Sequence, residues 1–404
     1  MDLRPRPKVL YITNLSPYPP LSGGQRREYE VLRRLTGSFE VHLMLIGRCL
    51  PDDAGVAEAM DRIGTASMTL VQAAPSGRRL PPRMEEHYSP DAKETVGRLL
   101  TRYPFDLIHV ECFFHMQSLP DGGTPPVVLF EENIEYDLQR QYEVVLGKSF
   151  TADWRQCKAI EEAAWRQACA VGVNSEDDLM HIAETSCGAV APMMVPLGAD
   201  HLVNAAASGR GSDGSAPPVV GFIGNLRWFP SRDATSFLID EVWPIVSASV
   251  PRARLRIVAS GVDDELRSAI RAAPGVSLFE NVARVADVLE EVDVFCCPLR
   301  TGGGVKMKVY EALAAGCAIV STPVGAQGLR GDVRAALRLV EATAHECAAA
   351  VTALLTDLDA LRVRSELSLR AARMLATWST AAAAQEQLWR GALAGRDNLR
   401  RAER

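Results

Sequence analysis

The feature that most restricts the fold of this chain is a repeated alternation. Short apolar runs, each ending in polar or glycine residues, are separated by amphipathic stretches with helical spacing. A strand buried on both faces reads as a continuous apolar run, and a parallel neighbour can be reached only by a crossover, usually a helix. The alternation therefore predicts parallel sheets wrapped by helices. In the first half it places strands over Lys8–Thr13, Val41–Ile46, Asp106–Val110, Val127–Phe130 and Ala170–Asn174, and helices over Gln25–Leu35 and Ala152–Cys169. A loop rich in Pro and Gly, Asn14–Gly24, follows the first strand, whereas Pro51–Pro90 is patterned too weakly to place its elements. Ser175, with acidic residues behind it, reads as a helix N-cap.

Met193–Asp200 reads as extended, and the Gly/Ser/Ala/Pro run Ala205–Pro218 as an exposed loop near a domain junction. A second series follows, with strands over Val219–Ile223, Arg254–Ala259, Val276–Phe279, Val294–Cys297 and Ala318–Ser321. The tail from Ala342 is rich in Ala, Leu and Arg at helical spacing. A chain of 404 residues exceeds what one core usually serves. The expected organisation is an α/β domain over 1–200, a second over 201–375, and a helical tail, 376–404, packing back toward the first.

Composition narrows the function. The formal net charge is -6 and no basic run occurs, which argues against a nucleic-acid partner. No apolar stretch is long enough to span a membrane, and the start lacks the apolar core and cleavage site of a signal peptide. The expected location is the cytoplasm. Nine cysteines, an odd number without a Cys-x-x-Cys pair, read as reduced thiols rather than disulfides or zinc ligands.

The segment with most chemical content is Pro298–Gly316, PLRTGGGVKMKVYEALAAG. A strand ends at Pro298, three glycines follow, and a helix opens with Lys306 and Lys308. Gly302, Gly303 and Gly304 carry no Cβ, so a ligand can approach the backbone. A helix start adds N–H groups and a positive dipole end, and Lys306 adds a full charge. Together these suit a diphosphate without a metal ion, and no His/Asp cluster stands at metal-ligand spacing. Glu311, about two turns into the helix, is placed to accept bonds from ribose hydroxyls, and Gly316 closes the helix. Taken singly, three glycines make a tight turn and Glu311 is a solvated helix residue; the joint arrangement is the specific signal.

This segment resembles the donor-site motif of retaining GT-B glycosyltransferases of family 4, in particular the bacterial sugar transferases with a Pro-Leu-Arg, glycine-rich, basic, Glu-Ala pattern. Matching stretches are Gly221–Pro230, Asp293–Arg300 and Val320–Gly328 in the second half, and Pro17–Gly24 and Asn133–Tyr136 in the first. The resemblance implies two Rossmann-like domains facing each other across a cleft, the acceptor on the first and a nucleoside-diphosphate sugar on the second. It implies that Gly23 and Gly24 bring amides to the donor diphosphate and that Gly224 and Asn225 end a strand against the phosphates. By the same resemblance Val282 lies beside the base, Gly302, Gly303, Gly304 and Val305 line the donor with Lys306, and Glu311 holds the ribose. Arg227 reads either as a second phosphate cation or as an exposed loop arginine.

The sequence departs from the family pattern in three places. The first of a commonly paired set of glutamates falls on Gly303. Asn225 and Pro230 occupy the places of an Arg and a Lys, which leaves Lys306 as the main phosphate charge and catalytic electrostatic group. In the first domain Glu111 follows the strand where relatives carry a histidine, and Glu132-Asn133 replaces His-Asn. Glu111 and Glu132 are therefore catalytic candidates and Asn133 and Glu135 acceptor-binding candidates, against a reading of these carboxylates as solvated groups or a helix cap. His109 reads as a packed core histidine.

The implied activity is metal-independent sugar transfer to an acceptor hydroxyl with retention of configuration, without a resident cofactor. The acceptor is a saccharide, a lipid-linked glycan of polysaccharide assembly, or a small natural product; a lipid-linked acceptor would bring peripheral membrane contact. Two alternatives stay open: a nucleotide-sugar epimerase of GT-B fold, and a non-catalytic nucleotide-sugar-binding subunit.

Overall fold

The computed structural model describes residues 5–146, 154–203, 216–282 and 284–402. The chain divides into two compact units, Met1–Gly198 with Thr377–Arg404, and Ala199–Ala376. Most of the Ala205–Pro218 run lies outside the described residues.

The first unit is built on seven strands, β1 (Lys8–Thr13), β2 (Glu40–Gly47), β3 (Ser67–Gln72), β4 (Leu107–Glu111), β5 (Val127–Glu131), β6 (Ala170–Val173) and β7 (Met193–Met194). All pair in parallel, in the order β3-β2-β1-β4-β5-β6-β7. The connecting helices are α1 (Gly23–Leu35), α2 (Asp53–Ile63), α3 (Pro82–Glu86), α4 (Ala92–Arg102), α5 (Glu135–Leu146), α6 (Trp154–Gln167) and α7 (Glu176–Thr185). A short 3-10 helix, Phe113–Ser118, follows β4. Every residue of β4 and β5 is buried, as strands covered on both faces require. Part of the core gathers Leu10, Ile12, Ile108, Val110, Leu129, Phe113, Phe114 and Trp165.

α1 starts two residues earlier than its apolar pattern predicts. Ser22 is extended, and its side chain accepts from the amide of Gln25, so Gly23 and Gly24 form the first turn. The weakly patterned Pro51–Pro90 contains α2, β3 and α3. Ser175 caps α7 by accepting from Asp178.

The C-terminal helix, Trp378–Ala402, packs on α1 and on β4, β5 and β6. Two glycines make room for it. A Cβ on Gly198 would lie 2.4 Å from the amide nitrogen of Trp378, and one on Gly172 would lie 2.7 Å from Leu388 and 2.8 Å from Phe130.

The second unit opens with α8 (Asp200–Val203) and continues into six parallel strands, β8 (Val219–Asn225), β9 (Arg254–Ser260), β10 (Val276–Glu280), β11 (Val294–Cys297), β12 (Ala318–Ser321) and β13 (Arg338–Leu339). Their order is β10-β9-β8-β11-β12-β13. The helices are α9 (Phe229–Phe237), α10 (Trp243–Ser249), α11 (Asp264–Ala272), α12 (Val285–Leu289), α13 (Met307–Ala314), α14 (Gly331–Ala335), α15 (Ala344–Thr356) and α16 (Leu358–Ala372). Between α9 and α10 the helix widens to a π-type turn over Leu238–Val242. Pro244 explains the widening, since it lacks an N–H and its ring crowds the preceding turn. Phe222 and Phe295, both fully buried, stack at 6.3 Å across β8 and β11. Both sheets are Rossmann-like, and in each the strand order reverses once: between β1 and β4, and between β8 and β11.

Candidate functional site

Open α/β sheets bind ligands at the carboxyl ends of their strands, where the order reverses. In the second unit that point lies between β8 and β11. β8 closes on Gly224 and Asn225, and a Cβ on Gly224 would come within 2.9 Å of Ser231 Cβ. Asn225 is exposed and its side chain accepts from the amide of Arg227 at 3.1 Å, shaping the turn. Arg227 is also exposed, its stem resting against Gly261.

The loop leaving β11 carries the glycine turn. Gly302 and Gly304 have φ of 157° and 60°, backbone that a side chain opposes. Lys306, 8% exposed, is the N-cap residue of α13. Its ammonium donates to the carbonyls of Gly303 at 2.9 Å and Gly304 at 2.7 Å, which places the charge on the turn itself. Neither N-cap residue, Lys306 of α13 or Trp228 of α9, caps its helix with its own side chain, and both helices start at the reversal point. Because α13 begins at Met307, Glu311 is its fifth residue, little more than one turn in rather than two, and half-buried. Gly316, with φ of 72°, ends the helix as expected.

Two other cations of the motif serve the scaffold. Arg300 donates through Nε to Asp233 of α9 at 3.0 Å. Lys308 donates to Ser231 of α9 at 2.9 Å and lies 4.7 Å over the Phe222 ring. Burial lowers the proton affinity of Lys308. These two ties join the β11 loop and the first turn of α13 to the helix that follows β8. Thr322, after β12, adds a third support by donating to the Leu299 carbonyl at 2.5 Å. Asp233, Ser231 and Thr322 carry no signal in the sequence alone, because their partners lie on other elements. Val282 stands apart: it follows β10, the edge strand two removed from β8.

In the first unit the reversal point joins the ends of β1 and β4 with the start of α1. Gly24 lies against Glu132: a Cβ there would be 3.2 and 3.3 Å from its two carboxylate oxygens. Glu132 and Asn133, at the end of β5, are half-buried. Burial, and after it the charge of Glu111, push the Glu132 carboxyl up to about 7.

Glu111 and Glu135 correct the expectation of open strand-end carboxylates. Glu111 is 1% exposed. Its Oε1 accepts from Arg27 at 2.8 Å, from His109 at 2.9 Å and from the Tyr11 hydroxyl. Burial opposes its charge, yet Arg27 and His109 hold it at about 2. Arg27, itself 1% exposed, stacks 3.3 Å from the Phe130 ring centroid. Trp389 of the C-terminal helix donates to His109 Nδ1 at 3.0 Å. An indole N–H can only donate, so Nδ1 accepts and His109 presents Nε2–H to Glu111. His109 is fully buried, as its strand position predicted. Glu135, 3% exposed, lies 3.9 Å from Arg83, and burial raises its carboxyl. The start of α5 is capped from elsewhere: Glu161 of α6 accepts from the amides of Glu135 and Tyr136, both at 2.9 Å. Both glutamates are thus parts of the first unit's interior.

Among the described residues no group of three or more His, Cys, Asp or Glu side chains is placed to hold a metal ion, and no helix is long and apolar enough to cross a membrane. All nine cysteines are free thiols, with Cys49, Cys169 and Cys187 exposed.

Residues 217–357 match the family model described as Glycosyl transferases group 1. No curated protein sequence matches the chain. Among solved structures, sucrose-phosphate synthase from Thermosynechococcus elongatus is similar with a TM-score of 0.74 at 16% identity, covering 96% of this chain and 100% of that one. HepE of Anabaena, solved with UDP and glucose, is similar with a TM-score of 0.66 at 13% identity, covering 96% and 100%. WaaG, a glycosyltransferase involved in lipopolysaccharide biosynthesis, gives 0.65 at 13% identity, covering 94% and 99%. The chain thus has the GT-B fold of two Rossmann-like domains, and residues 217–357, which carry the glycine turn, match the group 1 glycosyl transferase model.

Proposed function

We propose that this protein is a glycosyltransferase that moves a sugar from a nucleoside-diphosphate sugar to an acceptor hydroxyl, with retention of configuration and without a metal ion. The observation that carries the reading is the placing of the Lys306 ammonium on the Gly303 and Gly304 carbonyls at the start of α13. That combination meets the needs of a pyrophosphate: backbone N–H groups, a helix dipole and one cation. Gly224, Asn225 and Arg227 flank the same reversal point from β8 and would contribute further polar contacts. In this reading Gly302, Gly303, Gly304 and Val305 line the diphosphate, Glu311 holds the ribose and Val282 lies toward the base.

Departure of the nucleoside diphosphate builds negative charge on its outer phosphate. Groups fixed in advance around that position stabilise the transition state more than the ground state. Lys306 and the α13 amides are such groups, held by Arg300, Lys308 and Thr322. On the first unit Gly23, Gly24, Glu132 and Asn133 are the residues offered to the ligand, and Glu111 acts behind them. The structures similar to this one include proteins solved with UDP and with UDP-glucose, which supports a uridine nucleotide as the first donor to test. A saccharide or small-molecule acceptor, lipid-linked or free, and a cytoplasmic location complete the proposal.

Thermal-shift measurement against UDP-, GDP- and dTDP-sugars tests it. At least one donor is expected to raise Tm, and Lys306→Ala and Glu311→Ala each to abolish that rise while leaving the unliganded Tm close to wild type. An undiminished shift in both variants sinks the site assignment.

A further inference from the structure

Two histidines of the first unit are buried face to face where α3 meets the 3-10 helix Phe113–Ser118. His87, just after α3, is 8% exposed, and His115, inside the 3-10 helix, is fully buried. The His87 ring stacks on Phe114 at 4.8 Å with 20° between the planes, and its centroid lies 5.5 Å from that of His115. Among the described residues neither ring nitrogen of His115 has a hydrogen-bond partner, nor has Nε2 of His87. His87 Nε2 stands 3.8 Å from Glu86 Oε2, beyond hydrogen-bond reach, and Arg83 holds that same oxygen at 2.5 Å. An imidazole in such a place is neutral, because a second proton would bury an N–H without an acceptor and a charge away from water.

The charges around the pair reinforce that state. Burial, then His115, Arg83 of α3 and Arg48 just past β2, hold His87 at about 2. Burial, and after it Arg83, hold His115 at about 3; Glu111 of β4 draws the other way but is already engaged by Arg27 and His109. α4 and α6 also pack on the 3-10 helix, and among the described residues they bring no charge that acts on either ring. The segment 74–91 that carries His87 is lightly held. Ala74 donates to the Tyr88 carbonyl at 2.8 Å and the Ser76 amide to Glu85 at 2.9 Å, bonds that stay within the segment. Gln117 of the 3-10 helix donates to the Met84 carbonyl at 3.0 Å, Leu80 and Met84 reach the core, and the histidine pair completes the contact.

We propose that His87 and His115 form an acid-sensitive latch, which closes the segment 74–91 onto the 3-10 helix while both rings are neutral and releases it when they take up protons. Opening brings both rings to water, where an imidazole takes its proton near pH 6.5. The open segment therefore binds two protons that the closed one excludes. Because the closed values are lowered, the latch holds fully above about pH 6.5 and weakens as pH falls below it, by about tenfold per histidine for each pH unit. The device lies within the first unit and does not draw on the nucleotide-sugar reading: a chain that binds no nucleotide sugar leaves it standing.

Hydrogen exchange read by mass spectrometry on the full chain, corrected for the intrinsic effect of pH on exchange, tests it. Between pH values of about 7.5 and 5.5 the opening constant of segment 74–91 is expected to rise about a hundredfold, with β1 and β4 still protected when the segment exchanges. His115→Phe, and separately His87→Phe, should each leave a rise of about tenfold, and the double variant none. An opening constant in the wild type that does not move with pH overturns the proposal without recourse to any variant. Exchange of the segment only in step with β1 and β4 overturns it too, since that is unfolding of the whole unit. A hundredfold rise that persists in the double variant assigns the effect to other groups and also overturns it.

Discussion

Arg300 and Lys306 sit six residues apart in the same motif and do different work. Lys306 ends on the glycine turn, whereas Arg300 is turned away to Asp233 and holds the loop against α9. Removing Arg300 should therefore act on the ligand through the shape of the turn. Arg300→Ala is expected to weaken binding of the best nucleotide sugar about tenfold, ~1.4 kcal/mol. Because the arginine is about one-third exposed, Tm should change little. Isothermal titration calorimetry of the variant checks both expectations. Unchanged affinity would mean that the turn needs no tie to α9. The contrast also shows what is legible at this scale. The glycines and Lys306 declare themselves because backbone freedom, helix start and charge are local properties. The fate of Glu111 is not local: its partners Arg27 and Tyr11 lie 84 and 100 residues away, and Trp389 reaches His109 across 280. Sequence reading thus places Glu111 at a strand end, which is right, but does not reveal the partners that bury it.

At the scale of elements, the C-terminal helix is the piece whose removal should cost the first unit most. Trp378 and Trp389 are both fully buried, and Trp389 packs edge-on to Phe39 at 5.0 Å besides its bond to His109. Trp389→Ala is expected to lower stability by about 3–5 kcal/mol, whereas Trp389→Phe, which keeps most of the packing, should lose about 1 kcal/mol. Gly198→Ala should also destabilise, since the new Cβ meets the backbone of Trp378 rather than a flexible side chain. Urea unfolding of the three variants orders them; an unaffected Trp389→Ala would show that the helix is not part of the unit's core. Strand periodicity located the long strands within two residues of their observed ends. It missed β13 because two residues carry no period, and it left Pro51–Pro90 open because the apolar positions there are shared between a helix and an edge strand. The early start of α1 turned on one hydroxyl, Ser22, placed one residue before the glycines.

At the scale of the whole molecule, the buried carboxylates give stability a pH dependence of two opposite signs. Glu111, held at about 2, stabilises above the value of an unfolded glutamate, and that contribution is lost as pH falls from about 4.5 toward 2. Glu132, raised to about 7, binds its proton more tightly in the folded chain. Its contribution is present below about 4.5 and is lost as pH rises through about 7. The Tm of the wild type relative to Glu132→Gln is accordingly expected to decline between pH values of about 5 and 8, the comparison cancelling the buried histidines, whose lowered proton affinity acts in the opposite sense. Differential scanning calorimetry of the two proteins across the range checks the sign, and a difference that climbs over the same interval would refute it.

The account depends most on where a pyrophosphate rests. A crystal of the protein soaked with UDP-glucose should show the two phosphates against the backbone from Gly302 to Met307, with Lys306 Nζ moved from the Gly303 and Gly304 carbonyls onto phosphate oxygen. A nucleotide bound on other loops, with Lys306 still on those carbonyls, would contradict it.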